Sequence, residues 1–478
     1  MGFVLSILYF VIYYLTPTAL FGRLGGALHI ELILAAAAIF VSLPTINKSF
    51  ILKTSQSLAL IGMALAVFMS VLVGLRWPGG AVAAFLGFIP NIFAYFLVCL
   101  HCNTRKKLKV LVLMLFCVSA FAIARGAWDL QFGASHNYTS TAGLPLGDLD
   151  QTKLAENRVM AIWDYYHPYL LAQRNDDGVW FFRLRGLGDV NDPNDFAQVI
   201  VCLVPLMFIF WEPKKHLQNF VRVILPNAVL LFGDVLTHSR GSLVALLTMV
   251  VVTARRKIGT LPAALAAGGI YAAATALHFA GGREISAEAG SDRTSFWGEG
   301  LELLKQQPIF GVGFGNFKNM CGCGHTAHNS IVVCAAELGL FGMFFWCVFL
   351  FSSARDAWAI ASPAMVSDEK AIDPVSEFPG AAPIIDAGID KAEINRLGRL
   401  VVLSLMGFLV AGLFLSRAYV MTLFLLGGVA EVVYEMALRR QMISPRLRME
   451  KVLMYSAGLV VLFVLAMYVL IRILNLMR

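Results

Sequence analysis

The chain has 478 residues, of which 58% are hydrophobic and only 14% are charged, and its mean hydropathy is +0.73. A composition this apolar excludes an assembly of soluble domains and indicates a membrane protein with many spans. The formal net charge of +8 comes mostly from lysines and arginines in short loops, so it does not indicate nucleic-acid binding.

Apolar runs recur along the whole chain, and a helix needs about 20 apolar residues to cross the hydrocarbon core of a bilayer. They predict one all-α polytopic membrane domain over residues 1–478, with about 12–14 transmembrane helices. The runs cover residues 3–21, 32–44, 57–75, 81–100, 110–124, 196–211, 223–236, 243–254, 261–280, 331–351, 400–415, 420–437 and 452–474. The first run lacks a basic start and a cleavage site, so we interpret it as a retained helix.

Basic residues collect in alternate loops, and such loops are expected to be cytoplasmic. The clusters lie at residues 48–53, 105–109, 214–222, 255–257 and 439–448. The remaining loops, which include two long insertions, are therefore expected on the outer side.

Three long polar segments interrupt the apolar runs. Residues 126–192 carry turn formers and aromatic residues and predict a partly helical cap in an outer loop. Residues 281–327 form a second outer loop, in which an amphipathic helix is followed by the glycine-rich turn GVGFGNF. Residues 354–396 are rich in proline, alanine and acidic residues and predict a flexible cytoplasmic linker loop without chemistry.

Four ionisable residues lie at the outer ends of apolar helices, where a charge costs about 2.5–3.5 kcal/mol and usually has a partner or a function. They are Arg185, Arg240, Arg293 and His328. Three of them also have a structural explanation on their own: Arg185 could anchor a helix end, Arg293 could form a surface salt bridge, and His328 could cap its helix. Arg240 is harder to explain in this way, because it lies in a tight turn between two helices. The recurrence of the four residues on one side indicates an anionic substrate.

The chemistry of these side chains suits the transfer of a group from a diphosphate. Guanidinium groups can hold a diphosphate leaving group through bidentate hydrogen bonds without a metal. A neutral imidazole, with an ordinary pKa near 6.5, can take a proton from an attacking hydroxyl. Sugars linked to a polyprenyl diphosphate supply such a leaving group outside the cell. The expected reaction is glycosyl transfer from a lipid carrier.

Two other motifs are weaker. The segment CGCGHTAH contains metal-type ligands, but its cysteines are one residue apart and no carboxylate lies close. We interpret Cys321 and Cys323 as a local disulfide or two free thiols, and we predict no metal site. The run GVGFGNF lacks the GK[ST] ending of a phosphate loop. Glu337 lies nine residues after His328 on roughly the opposite helical face, so we expect it to be a structural hydrogen-bonding residue.

An ordered set of motifs resembles the O-antigen ligase and polymerase superfamily of bacterial envelope proteins. The motifs are RLRGLGDVNDPND, SRGSLVAL, RTSFW leading to PIFGVGFGNF, and HNSIVVCAAELGLFG, over about residues 180–350. The resemblance implies a GT-C-like helical fold in the bacterial inner membrane. It also implies metal-independent transfer of a glycan from undecaprenyl diphosphate to an acceptor hydroxyl on the periplasmic face, without a cofactor.

The resemblance also implies roles for individual residues. His328 would activate the acceptor hydroxyl, while Arg240 and Arg293 would contact the diphosphate. The predicted catalytic residues are thus His328, Arg240 and Arg293, and the predicted substrate-binding residues are Arg185, Asn194 and Asn329. The partners would be the undecaprenyl diphosphate-linked glycan donor, a lipid or saccharide acceptor and membrane lipids.

Several alternatives stay open. The acceptor could be the lipid A core in a ligase, a second lipid-linked repeat unit in an O-antigen or exopolysaccharide polymerase, or a protein. The DPND segment favours a ligase or polymerase over protein glycosylation. A transporter with an anion pathway is a different class, and it predicts polar groups near the bilayer midplane and an internal repeat. A non-catalytic scaffold would have no need of a base beside an arginine cluster.

Overall fold

The computed structural model describes residues 1–16, 30–46, 54–134, 167–174, 180–276, 279, 287–361, 391–440, 442–443 and 446–476. Much of the predicted outer cap and most of the predicted cytoplasmic linker lie outside these residues. The described residues of these two segments include helices and strands. Helix α13 continues to Ala361, and the next helix begins at Lys391.

The described residues are almost entirely helical. In chain order the helices are α1 (Gly2–Leu15), α2 (Ile30–Ile46), α3 (Ser55–Met69), α4 (Pro78–His101), α5 (Arg105–Trp128), α6 (Pro193–Leu206), α7 (His216–Asn219), α8 (Leu225–Thr237), α9 (Arg240–Ile258), α10 (Thr260–Ala276), α11 (Ala287–Gln306), α12 (Phe317–Met320), α13 (Ser330–Ala361), α14 (Lys391–Gly412), α15 (Met421–Leu438) and α16 (Met449–Leu476). Short π or 3₁₀ turns follow several of them, at Ser70–Gly74, Asp129–Ala134, Met207–Phe210 and Phe220–Ile224.

The helices confirm an all-α polytopic membrane protein. Among the described residues, nine helical segments are long and apolar enough to cross a membrane. Three shorter apolar helices lie at Gly2–Leu15, Ile30–Pro44 and Thr260–Ala276. Helix α9 has a predicted span at its centre but carries basic residues at both ends. Each of the thirteen predicted apolar runs overlaps a helix, because run length and composition alone identify such helices.

One β-hairpin was not predicted. Strands β1 (Leu170–Arg174) and β2 (Trp180–Leu184) pair antiparallel, with Leu170 opposite Leu184 and Arg174 opposite Trp180. The hairpin lies inside the segment for which the sequence predicts a partly helical cap. The strands are only five residues long, and their sequence, LLAQR and WFFRL, has too few alternations to distinguish a strand from a buried helical turn.

The chain divides into two compact units. Unit 1 comprises residues 1–6, 39–108 and 285–478, and unit 2 comprises residues 7–38 and 109–284. In unit 1 the long helix α13 packs against α3, α14, α15 and α16, and α4 packs against α15. In unit 2, α6 packs against α8 and α9, α9 packs against α10, and β2 contacts α8.

Aromatic side chains fill the core of unit 1. The rings of Phe88, Phe349 and Phe424 are fully buried, and Phe424 lies 5.7 Å from Phe88 and 5.3 Å from Phe349 between ring centroids. Tyr95 meets Phe349 edge to face at 5.8 Å. Such pairs contribute beyond the burial of their area, so α4, α13 and α15 are joined into one rigid group.

An ionic cluster is buried in unit 1, far along α13 from its N-terminus. Arg446, which lies shortly before α16, forms an ion pair with Glu431 of α15 and packs 4.8 Å over the ring of Tyr434. Asp356 of α13 is fully buried and accepts a hydrogen bond of 2.7 Å from the amide of Gln56. Burial lowers the pKa of Arg446, but the carboxylates around it outweigh that effect and raise the pKa above its usual value.

Candidate active site

The N-terminus of α13 fixes His328 at the border of an apolar helix. His328 has a left-handed backbone φ of 49°, a conformation that non-glycine residues rarely adopt. Asn329 caps the helix, since its Oδ1 accepts the backbone amides of Ile331 at 2.9 Å and Val332 at 3.2 Å. The Asn329 side chain is buried, and its Nδ2 lies 4.0 Å from the sulfur of Met467. The structure therefore gives Asn329 a capping role.

A loop from a distant part of the chain holds His328 in place. The hydroxyl of Ser416 accepts the backbone amide of His328 at 2.7 Å. Next to it, Ser330 donates its hydroxyl to the Leu415 carbonyl at 2.8 Å and accepts the Arg417 amide at 3.2 Å. Ser416 and Arg417 lie almost 90 residues after His328 and carry no local motif, so the sequence does not predict their contacts with this segment.

Helix α11 packs along the segment that precedes His328. The indole Nε1 of Trp297 donates to the Ala327 carbonyl at 2.9 Å. The ring of Phe296 lies 5.4 Å from the ring of His325. Arg293 is one helical turn before these two aromatic residues, so its backbone lies on the same side of α11. Unit 1 therefore brings the helix that carries Arg293 next to the residues that lead into His328.

The glycine-rich turn pairs with a kink in α13. Gly339 breaks the helix with φ 64° and ψ −169°, and Gly311 has φ 71°. A Cβ at Gly339 would collide with the Ile309 carbonyl, and one at Gly311 would collide with the Glu337 backbone, so both positions require glycine. The backbone hydrogen bonds run from Val312 N to Ala336 O, Gly313 N to Glu337 O, Leu340 N to Pro308 O and Phe341 N to Ile309 O.

Further backbone amides of the glycine-rich turn donate hydrogen bonds to side chains of the protein. The amide of Phe314 donates to the Ser70 hydroxyl at 3.1 Å, and the amide of Phe317 donates to Glu337 Oε1 at 3.2 Å. The Gly315 amide also interacts with the Glu337 carboxylate. These contacts agree with the interpretation that the turn is structural. Glu337 has the structural role that the sequence predicts, and its partners are amides of the turn.

Cys321 and Cys323 form a disulfide. The sequence predicts either a disulfide or two free thiols at these positions, and the structure selects the disulfide. Cys321 is buried and belongs to an apolar cluster with Phe317, Ala327 and Val332. The disulfide therefore stiffens the link between the glycine-rich turn and His328.

In unit 2, a tight turn between α8 and α9 positions Arg240. His238 adopts a left-handed φ of 51°, and its Nδ1 lies 2.6 Å from the Phe279 carbonyl oxygen. Ser239 caps α9 by accepting the amide of Ser242 at 3.4 Å. Arg240 is the first residue of α9 and is half-buried.

Arg183 links Asn194 to the turn that carries Arg240. The sequence predicts Arg185 as a substrate-binding residue and does not single out Arg183. The Arg183 guanidinium is buried and donates to the Thr237 carbonyl at 2.8 Å, to Gln173 Oε1 at 3.2 Å and to Asn194 Oδ1 at 2.8 Å. Since Thr237 ends α8, Arg183 ties the hairpin and the start of α6 to the turn that carries Arg240. Asn194 is thus a partner of Arg183.

Arg185 lies at the end of the same hairpin. Its Nε donates to the Pro168 carbonyl at 3.0 Å, and its amide donates to the Tyr169 carbonyl at 2.9 Å. Arg185 is half-buried, whereas Arg183 is almost completely buried. The sequence RLR offers one clue, because residues two apart in a strand point to the same face. It does not reveal which of the two arginines is buried.

We expect Arg183→Lys to lower the free energy of unfolding by about 2–4 kcal/mol, because an ammonium group cannot reach three separated acceptors at once. Denaturant titration of the purified protein in detergent measures this change. Arg185→Lys is the matched control, and we expect a smaller loss because the Arg185 guanidinium has one backbone acceptor among these contacts. Equal losses for the two variants would contradict the linking role of Arg183.

A second histidine of unit 2 was missed by the sequence analysis. His167 Nδ1 lies 2.8 Å from Asp129 Oδ2, and both side chains are buried. This contact ties the residue before the Pro168–Tyr169 turn to the end of α5. It thereby holds the backbone carbonyls that contact Arg185.

A comparison with protein families identifies the region that contains these residues. Residues 225–347 match the Wzy_C family model, which is described as O-antigen ligase. This part of the chain is therefore similar to O-antigen ligases. The match begins at α8 and ends inside α13, so the O-antigen ligase region includes Arg240, Arg293 and His328. The match indicates a glycosyltransferase-like membrane enzyme. A search of curated proteins found none that matches the chain.

Proposed function

We propose that the protein transfers a glycan from an undecaprenyl diphosphate carrier to a hydroxyl acceptor. The observation that carries this proposal is the O-antigen ligase match over residues 225–347, which contains all three predicted catalytic residues. The geometry around His328 supports it, because a left-handed backbone, a capped helix and a contact with the distant Ser416 fix the His328 backbone at the edge of an apolar helix.

In the proposed reaction His328 acts as a general base. The imidazole takes the proton of the acceptor hydroxyl, and the oxygen attacks the anomeric carbon of the donor sugar. The bond from that carbon to the diphosphate breaks, and undecaprenyl diphosphate leaves with the electron pair. Arg240 and Arg293 neutralise the charge that develops on the leaving group, and Arg185 assists in binding it.

The side of the membrane is part of the proposal. Clusters of basic residues in alternate loops support a bacterial inner-membrane location with His328 on the periplasmic side. On that side nucleotide sugars are absent, and a lipid diphosphate can supply the activated sugar.

A transfer assay tests the proposed function. The full-length protein, purified in detergent, is incubated with glycan linked to undecaprenyl diphosphate and, in separate reactions, with lipid A core or with a second lipid-linked glycan. We expect a new glycosidic product and the release of undecaprenyl diphosphate. Product with lipid A core identifies a ligase, and product with lipid-linked glycan identifies a polymerase. Donor consumption without any glycosidic product, or no consumption at all, would overturn the proposal.

A further inference from the structure

Residues 211–222 of unit 2, which we call the basic link, connect two helical segments that are apolar enough to cross a membrane. The segment Pro193–Phe210 ends just before the basic link, and the segment His216–Thr237 begins within it. Lys109, near the start of α5, places its Nζ 5.9 Å from the centroid of the Phe210 ring. The ends of three apolar helical segments therefore meet at the basic link. Such ends lie at the level of the lipid headgroups.

Asn219 holds the backbone of the basic link. Its Oδ1 accepts the Glu212 amide at 2.8 Å, and its Nδ2 donates to the Glu212 carbonyl at 2.6 Å. The Asn219 side chain is buried. The Lys215 amide also donates to the Glu212 carbonyl, at 3.3 Å, and Lys214 adopts a left-handed φ of 66°. These contacts use an amide side chain and backbone atoms, so they do not depend on the charged side chains of the basic link.

Several cations share a single carboxylate, that of Glu212. The Nζ of Lys215 lies 2.6 Å from one carboxylate oxygen, and a guanidinium nitrogen of Arg222 lies 3.6 Å from the other. Lys109 also attracts this carboxylate, and the exposed Lys214 precedes Lys215 directly. The side chains of Lys215 and Arg222 are 56% and 52% exposed. Exposed ion pairs are weak, so these cations can exchange Glu212 for a phosphate group.

The same stretch of chain exposes apolar side chains. Leu217, Phe220 and Val221 are all exposed. Phe208, just before the basic link, is also exposed and stacks on Trp211 with 6.0 Å between ring centroids. Aromatic residues are typical of the membrane interface. The basic link therefore offers cations for a phosphate group and an apolar surface for acyl chains, which are the two parts of a phospholipid.

We propose that Lys214, Lys215 and Arg222 bind the phosphate group of an anionic phospholipid, whose acyl chains lie along Phe220 and Val221. Clusters of lysine and arginine beside a membrane span are typical of sites for anionic lipids. A basic loop that only orients the protein in the membrane needs charge but no fixed shape. The basic link has a shape that Asn219 holds, and its cations outnumber its one carboxylate, so it favours a lipid with a net negative charge.

The test uses native mass spectrometry of the full-length protein in detergent to measure the affinity for the first bound phosphatidylglycerol. Phosphatidylcholine with the same acyl chains is the neutral comparison. The double variant Lys214→Gln with Lys215→Gln is expected to bind phosphatidylglycerol about 25-fold more weakly, since each cation near a membrane surface contributes roughly fivefold. Its affinity for phosphatidylcholine is expected to stay unchanged.

The matched control is the double variant Arg255→Gln with Lys257→Gln, which removes two exposed cations near the end of α9. We expect this control to bind the first phosphatidylglycerol like the unchanged protein. Equal weakening in the two double variants would show a general attraction to basic surfaces and would overturn the assignment.

Glu212→Gln gives an effect of the opposite sign. The Glu212 backbone, and not its carboxylate, contacts Asn219, so the basic link keeps its shape in this variant. The cations lose their competing carboxylate, and we expect the affinity for phosphatidylglycerol to rise about fivefold. A fall in affinity would show that the ion pairs are structural and would contradict the proposal.

Inorganic phosphate separates a lipid site from a site for the free ion. We expect it to leave bound phosphatidylglycerol in place at equal concentration, because it lacks acyl chains. Displacement of the lipid by inorganic phosphate would overturn the assignment of a phospholipid. None of these measurements uses glycan transfer, so this inference and the proposed function can fail separately.

Discussion

His328→Asn is expected to lower the rate of glycan transfer by about 10²–10⁴-fold, because the variant lacks the group that takes the proton of the acceptor hydroxyl. Asparagine is the appropriate replacement, since His328 has a φ of 49° and asparagine tolerates left-handed backbone better than alanine does. The contact between the residue 328 amide and Ser416 can then persist. The measurement is the initial rate of glycosidic product formation with saturating donor.

His325→Asn is the matched control. His325 lies three residues earlier, is exposed, and packs against Phe296. We expect this variant to transfer at the rate of the unchanged protein, and we expect His328→Asn to bind undecaprenyl diphosphate normally. A His328→Asn variant that retains transfer within a few-fold would place the base elsewhere. Loss of diphosphate binding in that variant would instead indicate that His328 contributes to the donor site.

Arg446→Met is expected to destabilise the protein by about 3–5 kcal/mol, because it leaves the buried Glu431 carboxylate without its counter-charge. Glu431 would lose its ion-pair partner, and the fully buried Asp356 would lose a cation 3.8 Å away. The packing of the guanidinium against Tyr434 would also be reduced. Unfolding by sodium dodecyl sulfate in mixed micelles, followed by tryptophan fluorescence, measures the change.

Two further variants identify the cause of that loss. The double variant Arg446→Met with Glu431→Met removes both charges of the main ion pair, and we expect it to be more stable than Arg446→Met alone. Lys305→Met removes a cation from an exposed pair with Glu302, and we expect no measurable change. A double variant less stable than the single one would show that packing, and not an uncompensated charge, explains the effect.

The buried cluster and His328 lie at opposite ends of α13, so the two predictions are independent. Asp356 is 28 residues after His328. The seventeen residues from the Gly339 kink to Asp356 span about 25 Å of helix at 1.5 Å per residue, and His328 lies eleven residues before the kink. Arg446→Met should therefore change stability while leaving the donor affinity of the folded protein unchanged.

Much of the fold followed from local patterns. The thirteen apolar runs overlap helices because a membrane span is defined by its length and composition. Asn329 could be expected to cap α13, since asparagine before an apolar run is a typical helix start. The order of the SRG, glycine-rich and HNS motifs was sufficient for the family, and the family match confirmed it.

The candidate site was predicted less completely. Arg183 and Arg185 are equivalent in the sequence, and the hairpin determines that Arg183 is the buried link to Thr237 and Asn194. The α14–α15 loop carries no motif in the sequence, and only the structure shows that its Ser416 contacts His328. Local periodicity reveals neither the burial of Arg183 nor the position of the α14–α15 loop. Both depend on contacts between segments that are far apart in the chain.

The sequence by itself determined that this is a helical membrane protein with a region similar to O-antigen ligases, because apolar length and motif order are local properties. It also identified His328 and Arg240 as polar residues at helix ends. Only the tertiary structure decided that the glycine-rich turn pairs with the Gly339 kink and that Ser416 and Arg417 lie beside His328. The physical reason is that helix packing chooses which distant loops meet, and no spacing along the chain encodes that choice.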